Sequence, residues 1–223
     1  IFDRLGEAEY RHRIVTLIEH ATLSHREPSD WVAALASDAV SPESNNQLQT
    51  VRRDYYYGNL VSVMKNTSRE HLARSLFATW DYADGLDNQS LHFDPSEDRQ
   101  HAYQWNKPSG DPGRKRSGGM LGANRLAIEA LPMFVSVPEN GQLHTLGFSG
   151  FRSSNTRWTW PLWEFPADLS TTRSMLSLAE LQEEAPSEGA LRRLKSLGIG
   201  AALRTRRILV GKTPNFTPPR RVA

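Results

Sequence analysis

The fold class turns on Met133-Phe134-Val135-Ser136-Val137-Pro138-Glu139-Asn140-Gly141-Gln142-Leu143-His144-Thr145-Leu146-Gly147-Phe148. Met133 to Val137 alternates in the two-residue period of a strand. Asn140-Gly141 supplies the dipeptide that a tight hairpin turn favours, and Gln142 to Phe148 returns as the partner. Arg157 to Trp163 reads as a third strand with Trp158 and Trp160 on one face. Pro161 lacks an N–H and so confines that strand to an edge or a bulge. The expected class is α+β, helix-dominated, with a small antiparallel sheet: a hairpin at about 133–148 plus a strand at about 157–163.

Working outward, the remaining periodic segments are helical. Tyr10, Ile14, Leu17, Ile18 and Ala21 recur at three- and four-residue spacing. Pro28-Ser29 opens a short helix carrying Trp31, Val32, Leu35, Ala36 and Ala39. Thr67 and Glu70 have capping-box spacing, and the helix they begin is expected to bury Leu72, Ala73, Leu76, Phe77 and Trp80. Another runs from about Gly122 to Leu131, with Leu126, Ala127, Ala130 and Leu131 inward, until Pro132 ends it. Thr171–Glu184 and Ser187–Leu197 complete the set, and Pro214 to Ala223 reads as extended. Residues 81–119 have no period, but Tyr82, Leu91, Phe93, Tyr103 and Trp105 point to an ordered loop with its own packing. The resulting organisation is a mainly helical α+β body, 1–188, with a long central loop 81–119. A basic C-terminal helix and extended tail, 189–223, follow it.

The chain has 223 residues, 38% of them hydrophobic and 23% charged, which suits a globular protein with one core or two small ones. No apolar run approaches the roughly 20 residues of a membrane helix, so a membrane partner is not expected. Cysteine is absent. Disulfide scaffolds, zinc ribbons, thiol nucleophiles and iron–sulfur clusters are thereby excluded, and a cytoplasmic setting is expected.

The net charge of +2 conceals a strong asymmetry. Residues 1–188 carry 25 acidic and 18 basic side chains, for −7. Gly189 to Ala223 carries nine bases and no acid: Arg192, Arg193, Lys195, Arg204, Arg206, Arg207, Lys212, Arg220 and Arg221. A single-sign block of this kind suits a polyanion, and arginine suits bidentate contact with phosphate. A second basic stretch runs through the Gly/Pro-rich residues 107–125, with Lys107, Arg114, Lys115, Arg116 and Arg125. Its glycines and the helix start behind them suit a phosphate. Arg152 and Arg157 flank Trp158, Trp160 and Trp163, which read first as core packing and second as a platform for unpaired bases.

Other chemistries find less support. Asp81, Asp84, Asp87, His92, Asp94, Glu97, Asp98 and His101 have the ligand types for Mg²⁺ or Mn²⁺ but no recognised ligand spacing, so they read as structural turns and caps. Gly211-Lys212-Thr213 lacks the upstream glycine of a nucleotide-binding loop, and Pro214 blocks the helix that must follow. Ser149, Ser153 and Ser154 sit in no nucleophile elbow. No cofactor, metal or catalytic residue is expected.

Two stretches carry a resemblance. They are Leu76-Phe77-Ala78-Thr79-Trp80 through Asp94-Pro95-Ser96-Glu97-Asp98-Arg99, and Gly122-Ala123-Asn124-Arg125-Leu126-Ala127-Ile128-Glu129-Ala130-Leu131-Pro132 with Trp158-Thr159-Trp160-Pro161-Leu162-Trp163. Together, over roughly residues 70–165, the chain resembles large-subunit-like proteins of type I CRISPR–Cas loci, especially the I-G (formerly I-U) group. The resemblance implies a non-catalytic subunit of an RNA-guided surveillance complex in antiviral defence. Such a subunit contacts target DNA, and possibly guide RNA, and works beside other effector subunits and a nuclease-helicase; base pairing reads most of the sequence. Two readings stand beside this one. In one, the chain is an interaction module docking an acidic protein; in the other, it is a metal-dependent nuclease using Asp84, Asp87, His92, Asp94 and Asp98.

Overall fold

Asn140 and Gly141 take φ values of 50° and 74°. That is the left-handed pair a two-residue hairpin turn needs to match strand twist. The turn joins β1 (Ser136–Glu139) to β2 (Gln142–Thr145) in antiparallel register, Ser136 opposite Thr145 and Glu139 opposite Gln142. The computed structural model describes residues 7–20, 22, 26–35, 47–48, 53–84, 91, 93, 119–150, 155–210 and 213–223.

The class is α+β, and the described residues form eight α-helices, this hairpin and a five-stranded antiparallel sheet. Before the hairpin come α1 (Glu7–His20), α2 (Glu27–Leu35), α3 (Arg53–Asn66), α4 (Arg69–Phe77) and α5 (Leu121–Glu129). After it come β3 (Phe148–Ser149), β4 (Arg157–Trp163), α6 (Leu169–Leu176), α7 (Ala179–Gln182), α8 (Glu188–Ser196), β5 (Ile199–Val210), β6 (Thr213–Phe216) and β7 (Arg220–Arg221). The larger sheet has the order β3–β4–β5–β6, with β7 also beside β5.

The chain forms two compact units. The first comprises 1–20, 48–131 and 209–218; the second comprises 21–47, 132–208 and 219–223.

In the first unit, α5 packs on α3 and α4. Gly122 sets the α4–α5 approach, because a Cβ there would lie 2.1 Å from the His71 carbonyl oxygen and 2.4 Å from Ser75 Oγ. This corrects the expected stripe on α4. The inward face carries the small Ser75, while Leu76, Phe77 and Trp80 are 58%, 87% and 48% exposed. The cap also shifts by one residue. Ser68 is the N-cap, and His71 closes the box by accepting the Ser68 N–H on Nδ1 at 3.0 Å. α5 buries Leu121, Gly122, Asn124 and Ile128, whereas the expected Leu126, Ala127 and Ala130 are half-buried. The helix α3 has no counterpart among the expected elements; its Leu60 and Val63 enter the core. Leu91 of the central loop is buried, as its apolar character suggested, but most of 85–118 lies outside the described residues.

In the second unit, Met175, Leu181, Leu194, Ile199 and Ala202 form a core, with Trp163 and Val222 packed against it. The helix expected over Thr171–Glu184 is two, α6 and α7, broken at Ser177 and Leu178. Pro161 sits in β4, with β5 on one side and β3 ending short of it on the other; the expected bulge falls between Leu162 and Trp163. The largest departure is C-terminal. Residues 199–210 form a twelve-residue strand rather than a tail, and 213–216 and 220–221 are strands as well.

Candidate nucleic-acid interface

Lys107, Arg114, Lys115, Arg116, Arg152 and Lys212 lie outside the described residues. The helix start expected to receive a phosphate is described, and an anion of the protein already holds it. Asp84 Oδ2 accepts the Leu121 N–H at 2.7 Å, and backbone bonds between Asp84 and Gly119 fix the carboxylate there. Arg74 pairs with the same carboxylate. A carboxylate at a helix N-terminus satisfies the free amides and complements the dipole, so this start does not await a phosphate. Asp84 is thus a cap, as the structural reading of the acidic run had it. Arg125 points into its own unit, pairing with Glu129 and donating from Nη1 to the Met64 carbonyl at 3.3 Å.

The basic C-terminal segment is different because its fold presents charge outward. Ser187 caps α8 by accepting the Ala190 N–H at 3.1 Å, and Ala190 and Leu194 turn inward. Arg192, Arg193 and Lys195 are left on the exposed side. Arg192 pairs with Glu188 at 3.2 Å, and Arg193 Nε with Glu180 at 3.0 Å.

The antiparallel register places four arginines on one face of the sheet. Arg157 opposes Arg206, Thr159 opposes Arg204, and Arg204 opposes Arg220 on its other side. The same face of β5 runs from the core to solvent: Ala202 is fully buried, Arg204 is 7% exposed, and Arg206 is exposed.

Arg204 is the correction among the expected phosphate contacts. Its Nε donates to Thr159 Oγ1 at 2.8 Å, Nη1 to the Glu184 carbonyl at 2.8 Å, and Nη2 to the Leu181 and Glu183 carbonyls at 2.8 and 2.6 Å. Burial, then the nearby Arg157 charge, holds its pKa below the usual arginine value, with Glu184 opposing. A guanidinium so engaged fastens the α7–α8 connection to the sheet and is not available to a ligand.

Arg207 lies on the opposite face, half-buried, and burial lowers its pKa too. Arg221 is exposed and donates from Nη2 to the Gly200 carbonyl at 3.0 Å. Trp158 and Trp160 also share that opposite face. Trp158 stacks on Phe148 with centroids 5.7 Å apart, meets Phe134 edge-on at 5.5 Å, and tilts against Trp160 at 4.8 Å. This aromatic cluster matches the core-packing reading.

Sequence reasoning passed over Glu184, whose Oε1 lies 2.5 Å from Arg157 Nη2. The signal was the adjacent acids Glu183-Glu184 just before the acid-free stretch. No family model matches the chain, and neither a curated protein nor a solved structure matches it.

Proposed function

We propose that this chain is a non-catalytic nucleic-acid-contacting subunit of a CRISPR RNA-guided surveillance complex, gripping the backbone of target DNA with exposed arginines and lysine. One observation carries the reading. Within the acid-free segment, residues 189–208 and 219–223 belong to one unit and present Arg192, Arg193, Lys195, Arg206, Arg220 and Arg221 to solvent. Cations on a rigid frame engage a regularly spaced phosphate backbone with little ordering cost. The resemblance over residues 70–165 supplies the kind of complex, in which guide RNA reads the sequence and other subunits and a nuclease-helicase are partners.

Exposed Leu76, Phe77 and Trp80 favour a second component of the reading. Apolar side chains gathered at one helix end suit a subunit that covers them against a neighbour. The alternative, docking of an acidic protein partner, uses the same basic surface without nucleic acid.

Fluorescence anisotropy with labelled duplex and single-stranded DNA across salt concentrations tests the proposal. Six engaged phosphates give a log–log salt slope of about −5. Arg206→Glu with Arg220→Glu is expected to weaken binding across unrelated sequences. Arg204 is left intact because its loss would test folding. No binding at low salt, with co-purification of an acidic protein, would move the assignment to protein docking.

A further inference from the structure

Arg157 and Arg206 are register partners on β4 and β5. The Arg207 N–H donates to the Thr156 carbonyl at 2.9 Å, so Thr156–Arg207 is a hydrogen-bonded pair. One step along, Arg157–Arg206 is therefore a non-hydrogen-bonded pair, the kind whose side chains stand closest. Like charges directly opposite at such a position repel, and an anion between them relieves the repulsion. Arg204, on the same face, adds a third guanidinium behind them.

Glu184 supplies an anion to Arg157. Its Oε1 accepts from Arg157 Nη2 at 2.5 Å, and its side chain is 77% exposed against 25% for Arg157. The main chain of Glu184 is held separately, through its carbonyl on Arg204 Nη1. The carboxylate can therefore swing away while the backbone stays fastened. An ion pair with one partner so exposed is weak and easily exchanged.

We propose that Arg157 and Arg206 form a phosphodiester-binding site, and that the Glu184 carboxylate is its built-in competitor, holding Arg157 until a backbone phosphate displaces it. This rests on the nucleic-acid reading above and adds a regulated contact to it. Guanidinium binds carboxylate and phosphate oxygens with the same fork geometry, so the exchange needs no rearrangement of the sheet. A phosphate within a polymer brings neighbouring charges that a lone surface carboxylate lacks. The competitor discriminates against small isolated anions and lowers the affinity for short contacts.

The test is anisotropy of the full chain with a labelled DNA duplex and with its single strand, at several salt concentrations and neutral pH. Glu184→Gln removes the competing charge while keeping shape and backbone. It is expected to tighten binding at least about threefold and to steepen the log–log salt slope by about 0.9, one added phosphate contact. The gain should disappear in the double variant Arg157→Gln/Glu184→Gln, and Arg206→Gln should weaken binding. Thermal melts of each variant establish that the fold is kept. Salt-dependent binding by the unaltered chain, with no gain from Glu184→Gln in a folded protein, would overturn the competitor and leave the nucleic-acid reading standing. Absence of binding by both proteins at low salt would overturn both. If Glu184→Gln fails to fold, Glu184→Ala gives the same readout, with the same outcome required.

Discussion

A Cβ on Gly122 would meet the His71 carbonyl oxygen at 2.1 Å and Ser75 Oγ at 2.4 Å, closer than real contacts permit. The nearest obstacle is backbone, so α4 and α5 would have to move apart. Asn124, two residues along with its Nδ2 donating to the Met120 carbonyl at 3.0 Å, is buried in the same helix. The phrase Gly122-Ala123-Asn124-Arg125, whatever its wider significance, is therefore accounted for by packing. Gly122→Ala is expected to cost about 3 kcal/mol, an overpacking penalty, despite the higher helix propensity of alanine. Urea unfolding followed by circular dichroism checks this, and an unchanged or raised midpoint would show that the helices are not held at this separation. Arg204 makes a related point about charge. From the sequence it belongs with Arg206 and Arg207, but the three differ in burial and orientation because alternate residues of a strand face opposite ways and one end of the strand is covered.

At the scale of elements, α2 and α6 are tied by charge. Arg173 Nη2 donates to Asp30 Oδ2 at 2.8 Å and to the Pro132 carbonyl at 3.0 Å, while Arg26 Nε reaches Asp30 Oδ1 at 3.1 Å. Burial alone would raise the Asp30 pKa, but the hydrogen bonds and charges of Arg173 and Arg26 outweigh it and hold it below its ordinary value. The Asp168 cap of α6 is also held low, first by the Thr171 N–H. A carboxyl whose pKa is depressed by folding stabilises the fold fully above its unfolded value, and that contribution vanishes as pH falls through the folded value. Urea midpoints are expected to decline as pH drops below about 4. Asp30→Asn should cost about 2 kcal/mol at neutral pH and flatten the decline. A variant with the same acid profile as the unaltered chain would remove Asp30 from this role. The elements differed in how plainly they could be read beforehand. Asn140-Gly141 dictates its own turn, and Ser187 its own cap, because both are local chemistry. β5 was hidden because Ala202, Arg204 and Arg206 share one face with Leu203, Thr205 and Arg207 on the other, so hydropathy does not alternate. α3 was hidden by Tyr55-Tyr56-Tyr57-Gly58, which favours neither helix nor stripe. The outward turn of Leu76 and Phe77 could not be read from α4 alone, since Gly122 on a different helix decides which face of α4 is covered.

For the whole molecule, the division into an acidic body and a basic tail follows charge along the sequence and not the fold. The second unit takes in 132–208 and 219–223, so the basic segment supplies part of its core. Leu194, Ile199 and Ala202 belong to the same cluster as Met175 and Leu181, and Val222 packs against it. A chain ending at residue 188 loses α8, β5 and β7 and leaves the inner edge of β4, including the fully buried Thr159, without a partner strand. Loss of several buried side chains at about 2–5 kcal/mol each exceeds the whole stability of an ordinary domain. Residues 1–188 are therefore expected to lack a folded second unit. Near-ultraviolet circular dichroism from Trp158, Trp160 and Trp163 should collapse, and binding of a hydrophobic dye should rise. A cooperative melt with tryptophan signals intact would overturn this, and would return the segment to the status of an appended tail. Loss of DNA binding on truncation consequently carries no information about phosphate contacts, because misfolding alone accounts for it. Point reversals at Arg206 and Arg220, which leave Arg204 and the apolar end of β5 in place, separate charge from folding, and the surface can be assigned by them alone.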